Sequence, residues 1–549
     1  MTTGREIKDG CPVPEGRRKA VPTADRPRGG KATTASQHAE QLGLFSGTAD
    51  NPQGAVVAAS ADQSAGVRRA VPKPKKKPGR YLLAMTMEEV ASYENLKEAW
   101  KRVEENDGAP GPDRQSIEKV RGHLSGLLSW LHQTLLDGSY RPGQIRRAWI
   151  PKPDGGKRGL GIPNVVDRVV QQAVYQVLGP HFDPTFHPSS HGFRPERSCH
   201  TAIAEAEGHM LEGHGWVVDL DLEKFFDRVH HQRLVARLEE RVKDRRLIQL
   251  IWRMLKAKVV MPDGVVVSTE EGTPQGGPLS PLLSNIVLDE LDRELHRRGH
   301  RFVRYADDCN IYVKSERSGQ RVMASISQFI ERRLRLKVNL QKSAVARPEE
   351  RHFLGFRLKL KALPEKAVEV LLSKRSRDRI NEKVRELTPR NRSQKLASRI
   401  RRLNLYLGGW MGFFWVCTAA EEQTFGSLDA HIRRRLRASI VKDWRRPRTI
   451  VRRVIRLGVQ PTTARASVYG GRKSTWALSH CLAVDQALRN RFFEDRGLLS
   501  LRAEWTRRHN RQVIVSRQRK LPLGIAAGGN TDAGLRAGSP NAGAPKSRM

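Results

Sequence analysis

The spacing of apolar and polar positions changes character along the chain. Between residues 145 and 360, short apolar runs typical of strands, as at 217–218, 265–267 and 311–313, alternate with stretches of helical periodicity. Alternating strands and helices are typical of a sheet that is covered by helices. The pattern therefore predicts a mixed α/β domain in this part of the chain.

Helical periodicity dominates on both sides of that domain. Thr86 and Glu89 form the sequence of a capping box, which predicts one helix that continues through Leu96 and Trp100. After residue 374 the period is almost wholly helical and the segment is very basic. We therefore expect a separate helical module on the C-terminal side of the α/β domain in the sequence.

The two ends of the chain lack any sustained hydrophobic period. Residues 1–80 and the residues after 520 are rich in Gly, Ala and Pro. Such segments bury too little apolar surface to offset the entropy lost on ordering, so both are predicted to be disordered. The Lys- and Pro-rich run at 72–79 is interpreted as solvated linker, with a nucleic-acid-binding arm as the alternative.

Composition adds a large charge imbalance. The chain has 99 Lys and Arg residues against 58 Asp and Glu residues, a formal net charge of +41. Neutralised phosphates release their counterions, so nucleic acid is the expected partner. An anionic membrane is the alternative, but no run approaches the roughly twenty apolar residues that cross a bilayer, and the N-terminus lacks the apolar core of a secretory signal. We expect a cytoplasmic protein.

The five cysteines lie far apart, with no Cys-x-x-Cys pair. Neither a structural zinc site nor a disulfide framework is therefore expected.

Paired acids are the first candidate chemistry. Residues 302–313 predict a strand, a tight turn and a strand, with Asp307 and Asp308 at or beside the tip. Adjacent acids in an apolar hairpin repel each other unless a cation lies between them, although an isolated pair in a turn is usually just solvated. A second apolar strand carries Asp219 and Asp221. Side by side, the two strands would gather oxygen ligands suited to Mg²⁺.

The motif Tyr-Ala-Asp-Asp at 305–308 resembles the catalytic box of reverse transcriptases. Flanking blocks narrow the resemblance to the group II intron reverse transcriptase/maturase family, in its endonuclease-less bacterial type. They occur in family order between residues 90 and 445, and they lie at 150–163, 190–198, 272–281, 339–343 and 353–356. The resemblance implies an α/β plus α fold, a right-hand polymerase with fingers and palm followed by a basic helical thumb or maturase domain.

This resemblance, together with the patterns above, predicts the domain organisation. The expected parts are a disordered N-terminal segment (1–80), an N-terminal extension (81–144), reverse transcriptase fingers and palm (145–365), a thumb/maturase domain (366–450), a short DNA-binding extension (451–515) and a disordered tail (516–549).

The resemblance also implies roles for the acids and for one aromatic residue. The spacing of the family motif selects Asp221, Asp307 and Asp308 as catalytic residues and as ligands of two Mg²⁺ ions, and leaves Asp219 as a weaker candidate. Two ions would activate a primer 3′-hydroxyl and stabilise the leaving pyrophosphate. Phe226 stands where reverse transcriptases place the side chain that clashes with a ribose 2′-hydroxyl.

Other matched positions are expected to contact the incoming dNTP. Lys152 and Arg158 match the fingers residues that hold its triphosphate, as a point charge and a bidentate fork. Gln275, in a Gly- and Pro-rich loop, matches the residue that lines the sugar and the templating base, and Lys342 matches a lysine near the triphosphate. Residues 353–356 resemble the primer grip.

Outside fingers and palm, the resemblance covers the loop at 108–113, expected to touch template or intron RNA, and the aromatic-rich stretch 403–415 of the maturase domain. Four arginines, at 433–435 and 437, are expected to face RNA phosphates. Three aromatic side chains of this stretch are expected to pack in the hydrophobic core of the helices rather than to stack on bases. These are Trp410, Phe413 and Phe414.

One departure from the family concerns the C-terminal part. Many relatives carry an H-N-H endonuclease with paired cysteines, whereas the stretch beyond Arg445 offers only His480, Cys481 and His509 as soft ligands. We therefore expect no nicking of the second DNA strand by this segment, and we interpret 470–505 as a DNA-binding extension.

The leading hypothesis is an RNA-directed DNA polymerase that copies its group II intron into DNA at a target site and also helps the intron RNA to splice. A splicing cofactor with a vestigial polymerase site is the second hypothesis, and the intact Asp221, Asp307 and Asp308 argue against it. The third is a reverse transcriptase of phage defence, a retron or a diversity-generating element. The expected partners are intron RNA, an RNA template with a DNA primer, target DNA and dNTPs.

Overall fold

The structure is a computed structural model that describes residues 85–151, 155–361, 367–389, 394–471 and 474–520, with side chains as far as Arg511. The disorder predicted for residues 1–80 lies outside the described residues. So does most of the predicted tail. Helical backbone reaches Lys520, so the tail boundary at residue 516 was placed too early, because no proline interrupts the helix before Pro522.

Among the described residues, the strands form three sheets. They are β1 (Ile145–Pro151), β2 (Lys157–Ile162), β3 (Trp216–Leu220), β4 (Val259–Val260), β5 (Val266–Val267), β6 (Arg301–Tyr305), β7 (Asp308–Val313), β8 (Ala344–Ala346), β9 (Phe356–Leu360) and β10 (Val368–Leu372). One sheet has the order β2-β1-β4-β5, a second has the order β6-β7-β3-β8, and β9 pairs with β10. The mixed α/β prediction for residues 145–360 is confirmed.

The described helices before residue 330 lie around these strands. They are α1 (Met87–Ala91), α2 (Tyr93–Glu105), α3 (Ile117–Arg121), α4 (Leu124–Leu136), α5 (Val165–Phe182), α6 (Cys199–Leu211), α7 (His231–Glu239), α8 (Arg245–Leu255), α9 (Ser280–Arg297) and α10 (Glu316–Phe329). Short 3₁₀ turns include Asp183–Thr185, Phe225–Asp227 and Pro348–Glu350, and the π-helical turn Ile330–Leu334 follows α10.

The C-terminal part is helical, as predicted. Its described helices are α11 (Lys374–Leu387), α12 (Leu396–Phe414), α13 (Glu422–Trp444), α14 (Pro447–Arg456), α15 (Pro461–Tyr469), α16 (Thr475–Leu478), α17 (Leu482–Ala487), α18 (Asn490–Glu494) and α19 (Leu501–Lys520), with a 3₁₀ turn at Ala419–Glu421. Of the helices described here, none combines the length and the apolar character that crossing a bilayer would require.

The single N-terminal helix predicted from the capping box is wrong in one respect, because the structure has two. The Thr86 hydroxyl accepts the Glu89 N–H and caps α1. The chain then leaves helical geometry at Ser92, whose hydroxyl accepts the Asn95 N–H and caps α2. A serine that competes for local backbone N–H groups ends one helix and starts the next.

The sheet that contains β3 lies between two hydrophobic cores. Val218 of β3 and Ile311 of β7 belong to the core that α5, α9 and α10 cover. Their neighbours Val217 and Tyr312 belong to a second core, shared with α6 and with the C-terminal helices. Successive strand residues point to opposite faces, so one strand serves both cores. The strand is thereby fixed from both sides.

The last helix is tied to the helices before it. Trp505 of α19 is buried, and its indole N–H donates to the Cys417 carbonyl at 2.9 Å. The buried carboxylate of Asp429 on α13 accepts the Leu501 N–H at 2.8 Å and the Ser500 hydroxyl at 2.7 Å. A carboxylate at a helix N-terminus satisfies free N–H groups and favours the helix dipole. Residues 451–511 therefore share a core with the preceding helices.

The Asp429 contact gives a stability prediction. We expect Asp429→Ala to lower the free energy of unfolding by about 2 kcal/mol, because it leaves a buried N–H without its acceptor. Urea unfolding and amide hydrogen exchange of residues 501–511 measure the effect. Asp378→Ala, at an exposed site on α11, is the control and should stay within about 0.5 kcal/mol of the unchanged protein. Equal exchange rates in both variants would contradict the proposed anchoring.

Candidate active site

The pairing of β3 with β7 brings the predicted acids together. Leu220 is opposite Cys309 in the antiparallel register. Asp221 and Asp308 are the next residues on the two chains, and they lie close enough for the charge of Asp221 to act on Asp308. Asp219 faces the same side of the sheet, opposite Asn310. Asp221 and the hairpin tip therefore lie at the same end of these two central strands and not on separate faces.

The tip of the β6–β7 hairpin is a two-residue turn. Tyr305 pairs with Asp308, which leaves Ala306 and Asp307 as the central residues. Ala306 has a φ of 56°, as in the first central position of the tight turns that suit hairpins. A side chain at Gly192 would lie 2.3 Å from the Ala306 nitrogen. The hairpin tip therefore rests directly on the backbone of residue 192.

A buried arginine holds the tip from inside. The Arg304 side chain is fully buried, and its guanidinium donates to both carboxylate oxygens of Asp292 at 2.7 and 2.6 Å. Further bonds reach the Asn285 side-chain oxygen at 3.0 Å and the Ser190 hydroxyl at 2.7 Å. The fifth reaches the Ala306 carbonyl in the turn, at 2.9 Å. All five guanidinium N–H groups are thus bonded.

Sequence reasoning missed Arg304. Its position between Val303 and Tyr305, on a strand that carries buried residues, was the available signal, because a charge is rarely buried without a partner.

The acids at the tip carry negative charge that is not fully compensated. Desolvation raises the pKa of Asp307, the charge of Asp221 adds to the effect, and Arg158 opposes it. Asp308 is accessible to solvent in the cleft, yet partial desolvation, together with the charges of Asp307, Asp219 and Asp221, raises its pKa to about 7. The charges of these four acids therefore act on one another, and the positive charge of Arg158 partly offsets them at Asp307 and Asp308.

Asp219 differs from the other acids because it has a cationic partner. The Arg351 guanidinium donates to one of its carboxylate oxygens at 2.8 and 2.6 Å, and also to the Lys342 carbonyl at 2.6 Å. Burial raises the pKa of Asp219 in spite of this partner. Asp219 is thus held in an ion pair, and sequence spacing gave no sign of Arg351, which follows it by 132 residues.

The backbone at Asp221 is fixed by residues 339–343, one of the blocks that carry the family resemblance. Its N–H donates to the Ser343 hydroxyl at 3.0 Å, and its carbonyl accepts the Asn339 N–H at 2.8 Å. The same segment carries Lys342, whose side chain is exposed. The candidate metal ligand and the candidate triphosphate lysine are therefore positioned together.

Three other predicted nucleotide contacts lie among the described residues. Arg158 is exposed on β2, opposite Ile150. The Phe226 ring is half-buried and lies 5.2 Å from the Phe225 ring. Gln275 is partly buried, and its carbonyl accepts the Gly161 N–H of β2 at 2.8 Å. Lys152 lies outside the described residues.

The donor chemistry and the charge of the acids agree with the expected cation. Carboxylate oxygens are the donors that Mg²⁺ prefers, and the raised pKa values of Asp307 and Asp308 reflect repulsion that a cation would offset. In the part of the chain that the structure describes, no three His, Cys, Asp or Glu side chains are grouped so as to hold a metal ion. A cation bound here would therefore need further ligands from substrate.

The arginines of α13 are largely used inside the protein. Arg437 is buried, and it donates to the Leu488 carbonyl at 2.9 Å and pairs with Asp485 at 2.6 Å. Arg434 lies over the Trp476 ring at 4.3 Å. The expectation that Arg437 faces RNA phosphates is wrong, because α13 is covered by the helices that follow it.

The aromatic residues of α12 pack in the second core, as predicted for Trp410 and Phe414, which are both buried. The Phe413 ring is partly buried and stacks on Phe356 at 5.5 Å.

The soft ligands near the C-terminus have other partners. His480 pairs with Asp485 at 2.7 Å. His509 contacts Trp505, with ring centroids 4.1 Å apart.

Comparisons with known proteins match two parts of the chain to family models. Residues 150–358 match the model described as Reverse transcriptase (RNA-dependent DNA polymerase). Residues 377–456 match the model described as Group II intron, maturase-specific domain. The first match contains Asp219, Asp221, Asp307 and Asp308, and the second covers α11 to α14 almost completely.

Individual proteins give the same result. The chain is 34% identical over 310 residues to Protein YkfC of Escherichia coli (strain K12), covering 49% of this chain and 81% of that protein. It is 31% identical over 351 residues to the Group II intron-encoded protein LtrA of Lactococcus lactis subsp. cremoris, covering 51% of this chain and 56% of LtrA. The chain thus spans little more than half the length of LtrA.

A solved structure described as Partial Cas6-RT-Cas1--Cas2 complex has 23% identity and a TM-score of 0.30, over 44% of this chain and 42% of that chain. This likeness is too low to carry an argument about the fold.

The contact between Gly192 and the hairpin tip gives a second prediction. Gly192→Ala should slow primer extension on an RNA template on the order of a hundredfold, because a misplacement of reacting groups by about 1 Å has that effect. Gly126→Ala, at an open position on α4, is the control and should extend primers at the unchanged rate. Normal extension by Gly192→Ala would show that the tip tolerates displacement.

Proposed function

Because the chain belongs to the group II intron-encoded reverse transcriptase and maturase family, we propose that Asp221, Asp307 and Asp308 form the site with which it copies intron RNA into DNA. The observation that carries this assignment is the β3–β7 register, which pairs Leu220 with Cys309 and so brings Asp221 near Asp308 and the turn that holds Asp307. The maturase-specific domain assists the splicing of the parent RNA.

The proposed layout is a right-hand polymerase. The sheet that contains β3 is the palm, and the β1–β2 hairpin is part of the fingers. The helices between residues 366 and 450 would form the thumb and maturase domain, and residues 451–515 would form the short DNA-binding extension. Two observations support this layout. Arg158 of β2 acts electrostatically on Asp307 and Asp308, and the α12 aromatic residues pack on Phe356, the last residue of the candidate primer grip.

The three acids are proposed to hold two Mg²⁺ ions. When bound, such ions favour ionisation of a primer 3′-hydroxyl and neutralise the charge that develops on pyrophosphate. The chain itself holds the carboxylates in place through the Arg304 contact with the turn and through the Ser343 contact with Asp221. Asp219 is proposed to stay paired with Arg351 and to keep the Lys342 segment near the site.

The incoming dNTP is proposed to lie between fingers and palm. Lys152 and Arg158 would hold its triphosphate, and Lys342 would contribute charge from the other side. The half-buried Phe226 ring, supported by Phe225, would exclude a 2′-hydroxyl. Gln275 would line the sugar and the templating base from a loop that is fixed to β2.

A basic patch beside the candidate primer grip is proposed to contact the primer–template backbone. Arg375 and Arg379 are exposed on α11. Desolvation, and then the charges of these two arginines and of Arg351, lower the pKa of His352 to about 4. Positive charge is therefore concentrated next to residues 353–356, where phosphates of a bound duplex would neutralise it.

Removal of one acid tests the polymerase site. Asp307→Ala should abolish DNA synthesis and leave intron RNA binding within about twofold, because it removes a candidate metal ligand and no phosphate contact. Primer extension and filter binding measure the two properties. Asp495→Ala, at an exposed position, is the control for both assays. Loss of splicing assistance together with DNA synthesis would contradict the proposed division of labour.

Neutralising the basic patch gives a different signature. Arg375→Gln combined with Arg379→Gln should weaken primer–template binding and reduce the slope of log K against log salt by about 1 to 2, because each lost phosphate contact removes nearly one released counterion. The matched control is Arg317→Gln with Arg321→Gln, which has the same spacing on α10 and is also exposed. An equal change in both double variants would rule out a local patch.

A further inference from the structure

The loop at residues 272–277 begins against the backbone that carries Phe226. The Thr273 N–H donates to the Phe226 carbonyl at 2.6 Å, and the Gly272 N–H donates to the Val229 carbonyl at 2.8 Å. A Cβ at Gly272 would lie 2.9 Å from the carbonyl oxygens of Phe226 and Asp227, and its φ is 94°. Only glycine permits this approach, so the loop and the Phe226 turn move together.

The other end of the loop is fixed to the fingers. Gln275 accepts the Gly161 N–H through its carbonyl at 2.8 Å. A Cβ at Gly276 would lie 2.6 Å from the Gly161 carbonyl oxygen, and the φ of Gly276 is 134°. The loop therefore spans the distance from the Phe226 turn to β2, along the proposed sugar pocket.

One side chain holds the palm end of this loop. His231 is 2% exposed, and its Nε2 lies 2.6 Å from the Gly272 carbonyl oxygen. A carbonyl oxygen only accepts, so Nε2 carries the proton and donates it. Nδ1 is buried and has no hydrogen-bond partner among the described residues, while the ring lies edge-on to Trp252 at 6.1 Å. The single polar contact of the ring is therefore with the loop.

From these contacts we propose that His231 is a positioning residue for sugar selection. Its bond to Gly272 holds the loop against the Phe226 turn and so sets the depth to which the Phe226 ring enters the pocket. The inference rests on the proposed role of Phe226 as the wall that excludes a 2′-hydroxyl. Repulsion between a ring and a hydroxyl rises steeply with overlap, so a small retreat of the turn admits ribonucleotides and changes little at the acids.

The test measures selection rather than total activity. The ratio of kcat/KM for dCTP to kcat/KM for CTP is determined by single-nucleotide addition to a DNA primer on an RNA template. His231→Asn should lower this ratio by about tenfold or more, because its shorter amide does not reach Gly272. His231→Gln should keep it within about twofold, because an amide nitrogen at the place of Nε2 can donate the same bond. His230→Asn, at the exposed neighbouring position, is the control.

Phe226→Ala separates the inference from the function on which it rests. If Phe226→Ala leaves the selection ratio unchanged, Phe226 does not exclude the 2′-hydroxyl, and the inference fails together with that proposed role. If Phe226→Ala relaxes selection and His231→Asn does not, only the inference fails. It also fails if His231→Asn slows addition of dCTP and CTP equally.

The double variant Phe226→Ala with His231→Asn adds a final criterion. Its selection ratio should equal that of Phe226→Ala alone, because a residue that acts through another adds nothing once the other is removed. Independent, multiplying effects would overturn the inference. Intron RNA binding by each variant verifies that it is folded.

Discussion

A single buried guanidinium fixes the position of the hairpin that carries Asp307 and Asp308. Arg304 pairs with Asp292 in the core and uses its remaining donors on neighbouring oxygens, one of them the Ala306 carbonyl in the turn. Such a pair adds little net stability, because desolvation offsets the attraction. It selects one geometry, since any other arrangement would leave a charge unpaired in the interior. The places of Asp307 and Asp308 follow from this contact.

Around the ends of β3 and β7, some acids have a cationic partner and others do not. Asp292 and Asp219 each have a guanidinium partner, whereas the charges of Asp221, Asp307 and Asp308 act on one another. A protein with a net charge of +41 has ample cations to pair every acid. Carboxylates that stay unpaired are therefore a local property of this cleft, and they suit a site that takes its cations together with the substrate.

The C-terminal helices show how packing redirects charged residues. A run of arginines on one helix suggested a surface for phosphates, but α13 is covered on several sides. Arg437 consequently binds the Leu488 carbonyl, and Arg434 lies on Trp476. The sequence gives the number of cationic side chains. Which of them face solvent depends on how the helices pack. Arg375 and Arg379 of α11, by contrast, remain exposed.

The sequence alone determined the mixed α/β core, the helical C-terminal part and the acids at 221, 307 and 308, because period and motif spacing are local properties. Tertiary structure alone decided three contacts: the ion pair of Arg351 with Asp219, the hydrogen bond of Arg304 to the turn and the hydrogen bond of His231 to Gly272. Each of these contacts joins a side chain to a group that packing brings near it. Residue spacing along the chain carries no signal for such a pairing, since its energy arises only when burial removes water from both partners.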